Sequence, residues 1–561
     1  MTSVMLSVSE IPLGRSPPLR HAMRATSPAS TGEHTPGREH RRNDHMKKKH
    51  NKRLIFSRFT VIALSIILQA VAIWIGIWIG LNKLGSYRHW IWIATYVIGG
   101  ILLVSLINKE TAAVYKLPWI ILCLAFPYAG AMCYLTFGNV HLSHLMRKKF
   151  SAVYHEKDDG YYEQERIVKN LYKDEPQFAG TFKYLRGVTS LPVYDDYDIE
   201  YLPSGERYFE ELKKALSSAE KYIFIEYFIV QEGVMWDAVH KILLDKVKNG
   251  VKVYLVYDDV GSVTKVASGF YRKLRKEGID ARKFNKFIPV VSIIHNNRDH
   301  RKIVVVDGKI AFTGGVNIAD EYINVTHPYG RWLDSGVMVK GKPVDSFVRL
   351  FTQIFNVSGK PINENDFICR EHEKFLSDGY CMPFGDSPAP ITTEHISETT
   401  FLNAIYGARE YIYFACPYLV ADTDIRNALA NAARRGVDVR LIIPQKPDKK
   451  TIYIMTKFYC SLLKKSGVKI YLYRDGFVHS KTMICDGKLA FAGTVNLDYR
   501  SFVHHFECGI IFTDEKAVGQ VKADFDYLFE SECMPADDKS LKLNVLEKAG
   551  KIIMDPFAPL F

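Results

Sequence analysis

Three long apolar runs stand near the start of the chain. Phe59–Leu81 gives 23 residues without a charge, Trp90–Ile107 gives 18 and Leu117–Phe137 gives 21. Each reaches the roughly 17–25 residues that a helix needs to cross a hydrocarbon core. Trp74, Trp78, Trp90, Trp92 and Trp119 fall in or beside these runs, where indole rings settle at headgroup level. The pattern predicts a membrane region over 54–145 with two or three transmembrane helices. A cleaved signal peptide does not fit, because the first run is too long and more spans follow. Ahead of it, residues 1–53 are rich in Ser, Pro, Arg, His and Gly and predict a disordered basic tail. Met46, followed by Lys47, Lys48, Lys49, Lys52 and Arg53, is a candidate translation start. The basic flank before Phe59 and the cluster Arg147-Lys148-Lys149 both read as cytoplasmic. Three full spans would part the two clusters. Two spans, or a re-entrant segment containing Gly99–Gly100 or Pro118 and Pro127, would reconcile them.

After a linker over 146–190 the patterning changes. Short β-branched and aromatic runs alternate with amphipathic stretches such as Tyr208–Ser218 and Ile425–Arg435, which predicts an α/β layered fold with a largely parallel central sheet. The pattern also repeats. Ala219-Glu-Lys-Tyr-Ile-Phe-Ile-Glu226 is echoed by Ala408-Arg-Glu-Tyr-Ile-Tyr-Phe-Ala415, and Asn249-Gly-Val-Lys-Val-Tyr-Leu-Val256 by Arg435-Gly-Val-Asp-Val-Arg-Leu-Ile442. The repeat divides the remainder into a first domain over 191–370, a second over 371–545 and an apolar tail over 546–561.

The strongest echo carries the chemistry. His300-Arg-Lys302 with Asp307 and Asn317 recurs as His479-Ser-Lys481 with Asp486 and Asn496, at a constant offset of 179. A lone H-x-K-x4-D arises by chance in roughly one chain in ten of this length, whereas a matched pair does not. Asp307-Gly308 and Asp486-Gly487, flanked by strand formers, predict two-residue hairpin turns. Residue 306 then faces 309, 302 faces 313 and 300 faces 315. Alternation sets His300 and Lys302 on one face, and Asn317 returns to their level. The same arithmetic gathers His479, Lys481 and Asn496. Each motif aspartate, five residues from its lysine or roughly 16 Å along a strand, reads as a turn former rather than a participant in chemistry. Asp334 and Glu507, in the shared pattern acid-x-Gly-apolar, are candidates for orienting the imidazoles.

Composition removes some function classes. The net charge is +13, but residues 1–58 hold 12 Lys/Arg against 4 Asp/Glu, leaving +5 for the other 503. That is weak support for nucleic-acid binding. Nine cysteines without a C-x-x-C suggest neither a disulfide framework nor a zinc ribbon. Two imidazoles, two ammonium groups and two amides suit a phosphodiester. Lys302 and Lys481 neutralise it, and Asn317 and Asn496 donate to its non-bridging oxygens. One histidine attacks phosphorus while the other protonates the leaving alkoxide. No metal or other cofactor is called for. His295, His504 and His505 read as solvent-facing or as supporting the motif residues.

The doubled motif resembles the HKD signature of the phospholipase D superfamily, and residues 54–561 resemble bacterial cardiolipin synthases. Ile225-Glu-Tyr-Phe228, Tyr257-Asp-Asp-Val-Gly-Ser262, Asn297 through Lys302, Glu321-Tyr322, Trp332, Pro417-Tyr418, Tyr473 through Lys481 and Gly493 through Phe502 carry that resemblance. It implies two pseudo-symmetric phospholipase-D-like α/β/α domains behind N-terminal transmembrane helices, with a catalytic set of His300, Lys302, Asp307, His479, Lys481 and Asp486. It also implies transfer of a phosphatidyl group between two phosphatidylglycerol molecules through a phosphatidyl-histidine, with His300 as nucleophile. The expected partners are phosphatidylglycerol, other anionic phospholipids and the bilayer, with no nucleic acid. The expected location is a multi-pass protein of the cell membrane with a cytoplasmic catalytic part. A membrane-bound hydrolase using water as acceptor is the alternative.

Overall fold

The computed structural model describes residues 161–286, 297–389, 391–392, 394–474, 476–555 and 558. It also describes 71, 74–75, 78, 88–109, 113–126, 130–131, 134 and 148–150 of the N-terminal part. The basic tail with Met46, most of the run Phe59–Leu81, His295 and, save Ala558, the segment 556–561 lie outside the described residues. Helix α1 (Arg88–Asn108) carries the second apolar run, and α2 (Ala113–Ala125) opens the third, with Pro118 inside it. Among the described residues no helix is long and apolar enough to cross a membrane, so the expected spans are not seen as such.

Part of the expected linker over 146–190 is packed helix among the described residues. It forms α3 (Tyr161–Asp174) and α4 (Ala179–Thr189). Leu171, Phe178, Phe182 and Leu185 are fully buried, and Gln177 donates to the Gly407 carbonyl at 3.0 Å. A few large apolar residues, spaced to one helical face, outweigh the charged remainder.

Residues 197–341 build a seven-stranded sheet from β1 (Tyr197–Leu202), β2 (Tyr222–Tyr227), β3 (Lys252–Asp258), β4 (Asp280–Phe284), β5 (Ile303–Val306), β6 (Ile310–Gly314) and β8 (Gly336–Gly341). The short β7 (Arg331–Leu333) stands outside it. Its order is β1-β8-β6-β5-β2-β3-β4. The second, eight-stranded sheet uses β9 (Cys381–Asp386), β10 (Tyr411–Ala415), β12 (Asp438–Pro444), β13 (Lys469–Tyr473), β15 (Thr482–Cys485), β16 (Leu489–Gly493), β18 (Glu507–Phe512) and β19 (Cys533–Pro535). Its order, β9-β18-β16-β15-β10-β12-β13-β19, repeats the first strand for strand and adds β19. Three short strands complete the set: β11 (Leu419–Val420), β14 (Gly476–Val478) and β17 (Leu497–Asp498).

The sheets are mixed rather than largely parallel. Within the two large sheets, among the described residues, only β2–β3–β4 and β10–β12–β13 run parallel. After the last βα unit the chain folds back as a hairpin, which forces antiparallel pairing onto β5–β6–β8 and β15–β16–β18. β5 and β15 are buried along their whole length, so their runs are continuously apolar.

Helices α5 (Gly205–Ser218) and α6 (Val234–Lys248) cover one face of the first sheet. There Phe209, Trp236 and Phe312 share a core. Helix α7 (Val344–Val357) covers the other, with Phe351 stacked on Phe224 at 4.1 Å. In the second half α8 (Ile396–Gly407), α9 (Thr423–Arg434), α10 (Lys450–Lys465) and α11 (Glu515–Tyr527) play the same part. One contiguous core joins Val305 and Phe351 of the first half to Phe384 and Phe491 of the second. The halves therefore bury a common interior, and their hairpins are held together there.

Candidate active site

Each motif begins just before the strand that leads into its hairpin, β5 or β15. Asp307 and Gly308 have φ of 54° and 67°, and Lys309 N–H bonds the Val306 carbonyl at 2.9 Å, the tight turn expected of Asp-Gly. The ladder then resumes one residue later than the simple count. Val306 pairs with Ile310 and Ile303 with Thr313, and Cys485 pairs with Leu489 in the copy. Lys309 and Lys488 are the extra residues; each spends its N–H on closing the turn, so the return strand carries a one-residue bulge in both halves.

Asp307 and Asp486 are not brought to the site. The Asp307 carboxylate accepts from the N–H groups of Glu220, Lys221 and Tyr222 at 2.7–2.8 Å. That of Asp486 accepts from Arg409, Glu410 and Tyr411, each at 2.8 Å. The motif aspartate thus clamps its turn onto the start of the neighbouring strand, β2 or β10. Asp307→Ala would leave three donors without that acceptor and put Ala in the left-handed region. A loss of about 3 kcal/mol is expected, with Asp307→Asn recovering part of it. Thermal unfolding of both variants checks this, and turnover at low temperature should survive.

The two halves meet at the motif histidines by trading backbone strands. β14, which runs into His479, pairs in parallel with β7 of the first half, and His479 N–H bonds the Leu333 carbonyl at 2.7 Å. Asp299 bridges Phe506 in the symmetric position, and His300 N–H bonds the Phe506 carbonyl at 2.9 Å. The carboxylates cross over in the same way. Glu507 of the second half lies 2.9 and 3.0 Å from Nδ1 of His300, and Asp334 of the first half lies 2.6 Å from Nδ1 of His479. Each imidazole is therefore oriented by the opposite half, and Nε2 is the nitrogen left for chemistry.

The surroundings differ between the two half-sites. Thr494 donates its hydroxyl to Glu507. The equivalent residue is Gly315, where a Cβ would come 2.0 Å from Oδ1 of Asp334, so only glycine lets that carboxylate approach. The His300 ring meets Phe228 and His505 at centroid distances of 5.1 and 5.3 Å. His479 meets Tyr322 and Trp332 at 5.3 and 5.4 Å. His504 and His505 are buried rather than solvent-facing, and His505 supports its neighbour. Trp332 is legible only as part of the family resemblance, and neither its contact with His479 nor the specific place of His505 is read from the sequence. The offset of 173 between Asp334 and Glu507 aligns them, and that alignment was the available signal.

Both lysines are buried. Lys302 Nζ donates to the His300 carbonyl and sits 5.5 Å over the Phe228 ring. Lys481 Nζ donates to the His479 carbonyl and lies 2.8 Å from its Nδ1. With the Nδ1 proton directed at Asp334, the contact to the carbonyl is the one that bonds. Burial, opposed by Glu507, pulls the Lys302 ammonium down to about 8. Burial, opposed by Asp334, pulls Lys481 down to about 7. Both histidines are held well below the usual imidazole range by burial and by the two lysines. Such a site awaits an anion, whose charge would restore these protons.

Asn317 is tied to the His479 side through Tyr322, whose ring meets that imidazole. Oδ1 of Asn317 accepts from Ile229 N–H at 3.0 Å and Nδ2 donates to the Tyr322 hydroxyl at 2.7 Å, so half of its donor capacity is already committed. Oδ1 of Asn496 is buried without a hydrogen-bond partner among the described residues. His300, His505 and Glu507 bring possible ligand atoms within 4.8 Å of one another. Lys302, Lys481 and Arg500 all act on His300, a potential that favours an anion over a cation.

Comparison with known proteins agrees with this geometry. A family model described as cardiolipin synthase, PLD-like domain, matches residues 212–356 and 401–529, and one described as phospholipase D-nuclease N-terminal matches 90–139. An uncharacterized protein of Streptococcus mutans is 37% identical over 83% of this chain and all of its own length. A cardiolipin synthase of Halalkalibacterium halodurans is 30% identical over 80% of this chain and 88% of its own. Cardiolipin synthase 2 of Bacillus anthracis is 32% identical over 79% and 86%. Among solved structures, a phosphatidylserine synthase of Haemophilus influenzae is similar in fold, with a TM-score of 0.53 at 14% identity over 68% of this chain and 99% of its own. With its doubled motif, crossed carboxylates and this extent of likeness, the chain belongs to the cardiolipin synthase family of phospholipase-D-like proteins.

Proposed function

We propose that this protein is a phosphatidyltransferase that joins two phosphatidylglycerol molecules into cardiolipin and releases glycerol. The observation that carries the reading is the crossed pairing, Glu507 on His300 and Asp334 on His479, which equips two imidazoles for one phosphodiester. Nε2 of His300 attacks phosphorus and forms a P–N bond as the P–O bond to glycerol breaks. Nε2–H of His479 gives its proton to that oxygen. The terminal hydroxyl of the second lipid then attacks phosphorus, its proton passes to His479, and His300 leaves. Lys302 and Lys481, with Asn496, offset the growing charge on the non-bridging oxygens.

The phospholipase-D-like units at 191–370 and 371–545 work as one site in this reading. The N-terminal runs hold it at a membrane in an arrangement of two or three spans. Support comes from α1, where Trp90, Ile93, Tyr96, Ile101, Val104 and Ile107 are 53–69% exposed, a surface that water disfavours.

Purified full-length protein given phosphatidylglycerol vesicles should yield cardiolipin and glycerol by thin-layer analysis. Phosphatidic acid as the sole lipid product would establish the hydrolase instead. The pH profile follows from the lysines. Their charged forms exist below about 8 for Lys302 and about 7 for Lys481. Raising pH through that window removes the cations, so kcat/KM should fall on the alkaline side. A flat profile there would contradict charge neutralisation by these two lysines.

A further inference from the structure

The last described helix is turned inside out for a helix bathed in water. On α12 (Val545–Met554), Glu547, Lys551 and Met554 form the face toward the protein. Glu547 accepts from Lys457 at 2.8 Å, the Lys551 ammonium lies 3.9 Å from the centre of the Phe458 ring, and Met554 packs on the core. Asp555, just beyond, accepts from the Tyr459 hydroxyl at 3.0 Å. The opposite stripe carries Val545, Leu546, Ile552 and Ile553 at 82%, 83%, 70% and 70% exposure. At 100° per residue these side chains, with Ala549, occupy one continuous arc. A reciprocal Asn544–Glu547 capping box fixes the start of the helix. Ordinary surface helices dock by such a stripe and show water their charges; this one docks by its charges.

Its position ties the stripe to the site. α12 rests on α10 through Lys457, Phe458 and Tyr459. The segment before α10 lies beside the active site: Asp448 accepts from the Tyr418 hydroxyl, the Tyr418 ring meets Phe477 at 6.4 Å and Phe477 meets His479 at 6.0 Å, and the charge of Lys449 acts on both His300 and His479. Thr456 accepts from Leu419 N–H, whose strand β11 pairs with β17 just after Asn496. From Lys449 to the α12 contacts is eight to ten residues, about 12–15 Å along a helix axis. Lys449, Lys450, Lys542 and Lys548 are exposed around this region, cations that suit an anionic surface.

We propose that the apolar face of α12 is a docking surface for an anionic phospholipid bilayer. It enters the boundary between headgroups and acyl chains and holds the mouth of the active site against the lipid. The occupant is a membrane rather than a second protein because an aliphatic arc flanked by lysines matches an interfacial helix, and because the adjoining site is the one assigned a lipid phosphate. The inference rests on the proposed lipid substrate, and its test separates the two.

Full-length wild type and a Leu546→Glu/Ile553→Glu double variant are compared on long-chain phosphatidylglycerol vesicles and on short-chain phosphatidylglycerol below its micellar threshold. These positions are exposed, so the substitutions remove no buried contact. The variant should lose about tenfold or more in kcat/KM on vesicles, where apolar insertion is what it lacks, and stay within about twofold on the monomeric lipid. Equal rates on vesicles, or equal losses on both substrates, would overturn the proposal. So would a wild-type dimer in sedimentation that the double variant abolishes, since a second copy would then cover the face. If wild type converts neither substrate, the functional reading fails instead. Docking is then judged by Leu546→Trp in vesicles, whose added fluorescence should be quenched by brominated lipid; no added quenching counts against it.

Discussion

Replacing His479 by Ala should lower cardiolipin formation by about 10⁴-fold or more, with His300→Ala equally inactive. The two losses have different origins. Without His300 there is no nitrogen nucleophile and no covalent intermediate. Without His479 the nucleophile remains, but the departing glycerol alkoxide finds no proton, and the barrier rises by about 5 kcal/mol. A phosphatidyl ester of p-nitrophenol separates the roles, because that leaving group departs without protonation. His479→Ala should release p-nitrophenolate in a burst equal to the enzyme present and hold the lipid on His300, whereas His300→Ala should show no burst. The reverse pattern would exchange the roles. Either variant turning over phosphatidylglycerol at the wild-type rate would end the two-imidazole mechanism.

The second large effect is expected at a residue distant in sequence from the histidine it serves. Glu507→Gln keeps the shape but removes the charge that faces Nδ1 of His300 from the other half of the molecule. An amide can present N–H to Nδ1 and stabilise the wrong tautomer, so a loss of about 10³-fold in kcat is expected. The same substitution takes a counter-charge from Lys302, for which Glu507 is the first opposing charge to the pull of burial. The Lys302 ammonium should therefore titrate lower, and the alkaline fall in kcat/KM should begin at lower pH than in wild type. Asp334→Asn should act likewise through His479 and Lys481, whose leading opposing charge is Asp334. A merely structural carboxylate would alter stability while leaving the pH profile in place. An unmoved profile in both variants would show that the crossing matters for folding alone.

The asymmetry between half-sites bears on these results. Thr494 donates to Glu507, while its counterpart Gly315 makes room for Asp334. Exchanging the two acids is therefore not neutral. The shorter side chain of Glu507→Asp would withdraw from Thr494, and the longer one of Asp334→Glu would press on the backbone beside Gly315. The repeat is symmetric in its strands and locally adjusted around each carboxylate.

Much of this was legible along the chain. The constant offset of 179 between the motifs, the Asp-Gly turns and the alternation of strand and helix patterns predicted a duplicated α/β fold with His, Lys and Asn gathered on one side of each hairpin. These are properties of neighbours, set by turn chemistry and by side-chain periodicity, and sequence order records them directly. The same local rules separated the motif aspartates from the chemistry, and the structure places their carboxylates on three backbone N–H groups each. What sequence order could not record was decided by packing between distant segments. Val306 and Ile310 set a register one residue off the simple count because a bulge closes each turn. Residues 161–189 of the expected linker became two packed helices because Phe178 and Phe182 found a core elsewhere. The acids crossed halves because β7 pairs with β14 and Asp299 bridges Phe506 across the pseudo-twofold, a choice made by three-dimensional closeness, which one-dimensional spacing does not contain.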